Sequence, residues 1–153
     1  MSNQFTPCIW DRLMDNGPQD AIGRLVDIEK IKESVARDVE AVLNARKTYV
    51  RELEDHPILS GTVLNFGLLD FAHVTAYGQE DLMRVCRSIE KAITDHDPRL
   101  RRVVVQFRDS NLFVGRWGFD VIADLVVSGA SELVSFRAVM DSSKQTFAVS
   151  KEK

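Results

Sequence analysis

The stretch Phe119-Asp-Val-Ile-Ala-Asp-Leu125 decides the fold, because one set of alternate positions carries only apolar side chains and the other set is mostly polar. The same alternation occurs at residues 101–108 and 134–140, and a shorter run covers 145–149. Alternation with a period of two and one mostly apolar face is typical of antiparallel strands that cover a core. The connections between the runs are short, so the sequence predicts a meander of three or four strands.

Two helices are predicted upstream of these strands, over residues 27–47 and 79–95. Apolar residues recur at steps of three and four in both segments, which places them on one stripe of each helix. Asp27 is suited to the N-cap of the first helix, and Pro98 stops the second. Charged residues on the other face of the first helix, including Asp38 and Glu40, are predicted to be solvated. The expected class is α+β, with two main helices packed on a small antiparallel three- to four-stranded sheet.

The chain is predicted to hold one domain, at residues 27–150, preceded by a flexible N-terminal arm at residues 1–26. This arm is either a frayed terminus or a segment that orders on a partner, because Phe5 and Trp10 are costly to expose. The stretch 49–77 is predicted to be mostly loop, and its apolar run is expected to pack against the domain. Within it, Asn65 and Gly67 favour a fixed irregular turn.

Composition excludes several classes of protein. The chain has 153 residues with a net charge of −3, so it is not a polycation built for phosphate backbones. Its apolar runs are far shorter than the roughly 20 residues that a membrane span needs, and no signal-peptide pattern opens the chain. Cys8 and Cys86 are its two cysteines, which argues against a disulfide scaffold and fits a reducing compartment.

Local motifs for common catalytic and cofactor sites are absent from the sequence. No two of the histidines and cysteines have the spacing of a metal site, and no nucleophile elbow or phosphate-binding glycine loop occurs. Cys86 lies on the apolar stripe of a predicted helix, where a buried and inert thiol is expected. The sequence therefore predicts neither a cofactor nor a metal. The scattered histidines are interpreted as polar loop residues: His56, His73 and His96.

Two groups of charged residues leave alternatives open. Carboxylates could include a pair of the glycosidase type, about 5–9 Å apart, although acids at helix ends and on strand faces usually face solvent. The carboxylates concerned are Asp70, Glu80, Asp81, Asp95, Asp97, Asp120 and Asp124. A basic cluster invites a nucleic-acid reading, but the alternation divides it between two strand faces. Its members are Arg99, Arg101, Arg102 and Arg108.

The tripeptide Asp97-Pro98-Arg99 joins the second helix to the first strand. Aspartate can accept hydrogen bonds from the neighbouring backbone, proline stiffens the turn, and arginine offers a planar fork of donors. The tripeptide is either a recognition element or an ordinary turn. In the second case its local ion pair is worth about 0–1 kcal/mol if it is exposed.

Three blocks of the chain together resemble a known family. The block Ser34-Val-Ala-Arg-Asp-Val-Glu-Ala-Val-Leu-Asn-Ala-Arg46 is similar to the family's S-V-x-R-D-L-x-x-L-L-N-T-R. Ser60-Gly-Thr-Val-Leu-Asn-Phe-Gly-Leu-Leu-Asp-Phe71 resembles S-x-L-N-Y-G-L-P-D-F, and Asp97-Pro98-Arg99-Leu100 resembles E-P-R-L. The family is TssE, the baseplate wedge subunits of bacterial type VI secretion systems, and it includes a phage wedge protein once labelled lysozyme-like. Asp97 departs from its glutamate and Leu69 from its proline.

The resemblance implies a structural, non-enzymatic subunit that is cytoplasmic, in a baseplate docked at the inner membrane. It implies binding to the TssF and TssG wedge subunits through Asp97, Pro98 and Arg99, with Asn65 and Gly67 as further partner-binding residues. It also implies that strands of the sheet nucleate the contractile TssB/TssC sheath, the candidates being 101–109, 131–141 and 145–149. TssK and the VgrG spike are further candidate partners, and neither nucleic acid nor direct membrane insertion is expected. The alternative is a peptidoglycan-degrading, muramidase-like enzyme.

Overall fold

A computed structural model describes residues 5–14, 26–47, 56–59, 62–69, 79–111 and 115–152 of the chain. Parts of two predicted regions therefore lie outside the described residues. These are residues 15–25 of the arm, and residues 48–55, 60–61 and 70–78 in and around the loop, which include Asp70 and His73.

Both predicted main helices are present, and their observed ends lie within three residues of the expected ones. A short helix α1 covers Ile9–Met14, α2 covers Ile28–Asn44 and α3 covers Gln79–His96. Asp27 caps α2 as expected, because its carboxylate accepts a hydrogen bond from the amide of Lys30 at 3.0 Å. Between α2 and α3 the described residues form two short 3-10 turns, Pro57–Leu59 and Val63–Asn65.

The sheet is the predicted antiparallel meander, with spatial order β1-β2-β3-β4. The strands are β1 Leu100–Asn111, β2 Arg116–Val127, β3 Ala130–Asp141 and β4 Thr146–Lys151. Strand β3 lies between β2 and β4, so the expectation that residues 131–141 could offer a free edge is wrong. The edges of the sheet are β1 and β4.

The core lies between the two main helices and one face of the sheet. The apolar stripes of α2 and α3 are buried, as the helical periodicity predicts, and so is the alternating face that includes Phe119, Val121 and Phe136. Burial of one such large side chain stabilises a fold by about 1.5–3 kcal/mol. The α+β class, with helices on one face of a small antiparallel sheet, is confirmed.

The opposite face of the sheet carries paired charges. Arg108 bonds Asp120 at 3.3 Å and Glu152 at 2.6 Å, while Arg102 bonds Asp124. These arginines of the basic cluster are thus neutralised by neighbouring acids. Among the described residues, no helix is long and apolar enough to cross a membrane.

The loop between α2 and α3 is only partly packed. Phe66 and Leu68 pack against the core as expected, whereas Ile58 and Val63 are almost fully exposed. The apolar run therefore divides into an inward half, which fixes the loop on the domain, and an outward half.

Candidate functional site

The centre of the candidate site is the buried carboxylate of Asp97. Arg99 donates to it three times: from Nε at 2.8 Å, from Nη2 at 2.7 Å and from its own backbone amide at 3.1 Å. The Asp97 amide donates to the carbonyl of Ile93 at 2.9 Å, which continues the hydrogen bonding of α3 into the turn. The ion pair predicted inside this tripeptide is therefore present, but its acid is buried and not exposed. A bidentate, charge-assisted pair of this kind fixes geometry as well as charge.

Arg99 also reaches α2, where Nη2 donates to Asp38 Oδ2 at 2.6 Å. Hydrogen bonding to Asp97 raises the pKa of Arg99 above its usual value, so the guanidinium remains charged. The backbone carbonyl of Arg99 accepts a hydrogen bond from the amide of Val126 at 2.8 Å, which ties this turn to β2. We call the cluster of Asp38, Asp97, Pro98 and Arg99 the corner. It joins α2, α3 and the sheet.

The exposure of the side chains in the corner increases from the buried Asp97 to an accessible rim. The side chain of Asp97 is buried, that of Arg99 is 28% exposed and that of Asp38 is 40% exposed. Pro98 is exposed beside them. A partner that docks here would therefore meet a carboxylate, a proline ring and one side of a guanidinium that is already oriented.

Asn65 lies in a second cluster beside the first, between the C-terminal ends of α2 and α3. Lys47 Nζ donates to Asn65 Oδ1 at 2.8 Å, and His96 Nε2 lies 3.0 Å from the Asn65 carbonyl oxygen. The His96 ring stands edge-on to Phe66, with ring centroids 4.9 Å apart. His96 is thus the last residue of α3 and not the loop residue that was predicted. Burial lowers the pKa of Lys47.

Gly67 holds the loop against α2 at a point where only glycine fits. Its φ is +103°, and a Cβ there would lie 2.4 Å from the carbonyl oxygen of Ala45. This close approach lets the Leu68 amide donate to the Ala45 carbonyl at 3.0 Å, and the Lys47 amide donate to the Leu68 carbonyl at 3.0 Å. The irregular turn expected from this glycine is present, and its role is a close approach of two backbones.

The predicted site residues thus fall into two adjacent clusters that share the end of α3. His96 bonds the Asn65 cluster, and the next residue, Asp97, is the centre of the corner. Sequence reasoning missed Asp38, His96 and Lys47. Asp38 had been assigned to a solvated helix face, although it stands in the Ser34–Arg46 block that carries the family resemblance. That block was the signal that could have identified it.

Both edges of the sheet are partly covered by side chains from the helices. On β4, the Val149 amide donates to Glu40 at 2.7 Å, and Phe147 exchanges two hydrogen bonds with Asn44. The prediction that Glu40 belongs to a merely solvated face is therefore wrong. Its carboxylate occupies an edge amide that an incoming strand would otherwise use.

On β1, the Val105 amide donates to Glu90 of α3 at 2.8 Å. Burial raises the pKa of the nearby Cys86 thiol, although a backbone hydrogen bond from Phe107 acts in the opposite direction. On each edge, two helix residues that are four apart in sequence bond two strand residues that are two apart. Glu40 and Asn44 bond Val149 and Phe147 on β4, and Glu90 and Cys86 bond Val105 and Phe107 on β1. This match is geometric, because four helical residues rise about 6 Å and two strand residues about 6.8 Å.

The acids considered for catalysis are mostly engaged with bases. Asp97 pairs with Arg99, Asp120 with Arg108 and Asp124 with Arg102. Asp95 bonds Lys91 at 2.9 Å, and Asp81 lies 3.9 Å from Arg84. Within the described ranges, no group of three or more histidine, cysteine or acidic residues could hold a metal ion.

Comparison with known proteins gives one family. A family model described as baseplate wedge protein gp25 matches residues 29–129. The matched segment contains α2, the loop, α3, β1 and β2, and therefore all members of the corner. Neither the curated proteins nor the solved structures contain a match to the chain.

Proposed function

The chain belongs to the family of baseplate wedge protein gp25, and from this premise we propose that it is the wedge subunit of a type VI secretion baseplate that binds TssF and TssG and nucleates the TssB/TssC sheath. A structural role in a phage or type VI baseplate follows from the family itself. The named partners are the proposal, and TssK and the VgrG spike are further candidates. The proposed location is the cytoplasmic side of the inner membrane.

The corner is the observation that carries the wedge contact. Arg99 is held by Asp97 and Asp38 in one orientation, so a partner does not have to order it on binding. Desolvation of such a charge pair at an interface makes each partner costly to lose, by about 2–5 kcal/mol. We propose that Asp38, Pro98 and Arg99 form the contacting rim, while Asp97 positions Arg99 from below. Asn65 and Gly67 support the rim by fixing the loop beside it.

Strand β1 is our candidate for the sheath contact. The hydrogen bonds that its backbone amides donate to α3 lie at Val105 and Phe107, and the strand continues to Asn111. An extended segment of a sheath subunit could add to this part of the edge by backbone pairing. Strand β4 is a poorer candidate, because α2 occupies the edge amides of both Phe147 and Val149.

The wedge contact is tested by copurification of TssF and TssG with Asp38→Ala. Arg99 remains bonded to Asp97 in this variant, so the domain should fold while wedge binding weakens at least about tenfold. Glu80→Ala is the matched control, because it removes an exposed acid from the start of α3. Unchanged binding by Asp38→Ala would contradict the assignment of the rim.

The sheath contact is tested by hydrogen exchange of the folded protein with and without TssB/TssC. We expect new protection of amides 108–111, with no change at Phe147 and Val149. Protection confined to β4 would overturn the choice of edge. A peptidoglycan turnover assay tests the muramidase alternative.

A further inference from the structure

Helix α1 is fixed to the domain by polar contacts. Phe5 and Val26 exchange two backbone hydrogen bonds, at 2.8 and 2.7 Å, and the Phe5 side chain is buried in the core. Arg37 of α2 bonds the Asp11 carboxylate, and Ser34 Oγ donates to Cys8 Sγ at 3.2 Å. The described part of the arm therefore has a defined position on α2.

The same helix turns three large apolar side chains away from the domain. Ile9 is 75% exposed, Trp10 is 54% exposed and Leu13 is 70% exposed. These positions follow i, i+1 and i+4 spacing, so the three side chains form one outward face. We call this face the α1 patch. Tryptophan in such a patch is the residue type most often found as a binding hot spot.

Helix α1, which carries the patch, and the corner are attached to neighbouring residues of α2. Arg37, which holds Asp11, is followed directly in α2 by Asp38, which holds Arg99. Ser34 lies one turn before Asp38 on the same helix and contacts Cys8. One turn of α2, from Ser34 to Asp38, thus holds both the arm and the corner.

We propose that the α1 patch and the corner form one docking surface, on which α1 inserts Trp10 and its neighbours into an apolar groove of the wedge partner that binds the corner. This inference rests on the proposed function and adds a hydrophobic anchor to its charged rim. An apolar anchor surrounded by polar contacts is the usual anatomy of a specific interface.

The size of the patch favours this occupant over a second copy of the chain. Three partly exposed side chains offer at most a few hundred Å², whereas a stable interface buries about 800 Å² on each partner. The part of the patch that the structure describes is therefore too small alone for a dimer, but it suffices as one end of a larger interface. The membrane alternative is weaker, because the helix has six residues and the chain is acidic overall.

Tryptophan fluorescence gives a direct test with the full chain and the purified TssF–TssG complex. Trp10 is exposed and Trp117 is buried, so a blue shift on binding reports on Trp10. We expect this shift with the wild-type protein. Trp10→Ala removes the fluorescent probe, so affinity is compared by copurification of TssF–TssG, and it should fall at least about tenfold in Trp10→Ala and in Leu13→Ala. Arg12→Ala is the matched control, since it removes an exposed side chain from the same helix. Melting curves should show that all three variants fold.

The outcomes separate this inference from the proposed function. If the wild type binds TssF–TssG and Trp10→Ala binds equally well, the α1 patch is not part of the interface, while the proposed function stands. If the wild type does not bind at all, both fall. A concentration-dependent blue shift that accompanies dimerisation would assign the patch to a second copy. A shift on phosphatidylethanolamine–phosphatidylglycerol vesicles would assign it to lipid, and either result overturns the inference.

Discussion

Asn44 of α2 pairs with the backbone of Phe147 in β4 as a neighbouring strand would. Its Nδ2 donates to the Phe147 carbonyl oxygen at 2.8 Å, and its Oδ1 accepts from the Phe147 amide at 2.8 Å. One side-chain amide thus satisfies both outward groups of an edge residue. Protein edges that lack such cover are templates for unwanted strand pairing.

Replacement of this amide should destabilise the domain. We expect Asn44→Ala to lower the free energy of unfolding by about 1 kcal/mol, because two hydrogen bonds are lost at a site where water can partly replace them. Asn44→Asp should lose at least as much, because its carboxylate still accepts from the Phe147 amide but sets an anionic oxygen against the Phe147 carbonyl, at the C-terminal end of α2. Urea unfolding measures both. Lys30→Ala, an exposed change on the same helix, should stay within about 0.5 kcal/mol of wild type, and an equal effect of the two alanine variants would contradict the pairing.

The corner predicts a larger loss and a specific rescue. Arg99→Ala leaves the buried carboxylate of Asp97 without its charged partner, so we expect a loss of about 2–3 kcal/mol, below the 3–5 of a fully buried pair because Arg99 is partly exposed. Arg99→Lys should lose almost as much unfolding free energy as Arg99→Ala, because lysine lacks the planar fork of donors. The double variant Asp97→Asn with Arg99→Ala should recover part of it, since no buried charge remains. Thermal or urea unfolding measures these losses, with Asp97→Asn included as the second single variant. If the losses of the two single variants add in the double variant, the coupling is refuted.

Gly67→Ala tests the close approach of the loop to α2. Both a positive φ and a Cβ placed against the Ala45 carbonyl oppose alanine there. Gly129 is a matched control, because its φ is +83° and a Cβ added to it meets nothing within 4 Å. We expect Gly129→Ala to cost about 1 kcal/mol from backbone strain alone, and Gly67→Ala to cost clearly more. Equal losses in urea unfolding would mean that the loop yields freely.

The attachment of α1 to α2 should weaken at acid pH. Burial raises the pKa of Asp11, but hydrogen bonds from Cys8 and Arg37 outweigh it and hold the pKa below its ordinary value of 3.8. A lowered pKa in the folded state means that the ionised carboxylate stabilises the attachment above about pH 4. This contribution is lost as the pH falls through the folded pKa, below 3.8.

NMR shifts of the amides of residues 8–12 provide the measurement. We expect them to titrate together below pH 4 in the wild type and to lose that step in Asp11→Asn. A common transition near pH 6 in both proteins would show that another group controls the attachment.

Periodicity predicted the layers of this fold but not the contacts that close it. Val105 and Phe107 lie on either side of the polar Gln106, and Val35 and Val39 follow a helical step, so the strands, the helices and their buried faces could be predicted from the sequence. Glu40 bonds an amide 109 residues away, and such a contact leaves no periodic trace. The ion pair of Asp97 and Arg99 could be foreseen because it is local. Its third member, Asp38, could not, since 61 residues separate it from Arg99.

Helix α2 and its C-terminal end are bonded to several separate parts of the described chain. Its contacts reach the arm, the corner, the loop and β4, through Arg37, Asp38, Ala45, Glu40 and Asn44. A mechanical load that enters at the corner is therefore distributed along one stiff rod into several attachments that act in parallel. Several of these attachments must yield before α2 can leave the domain, which suits a structural subunit of a baseplate.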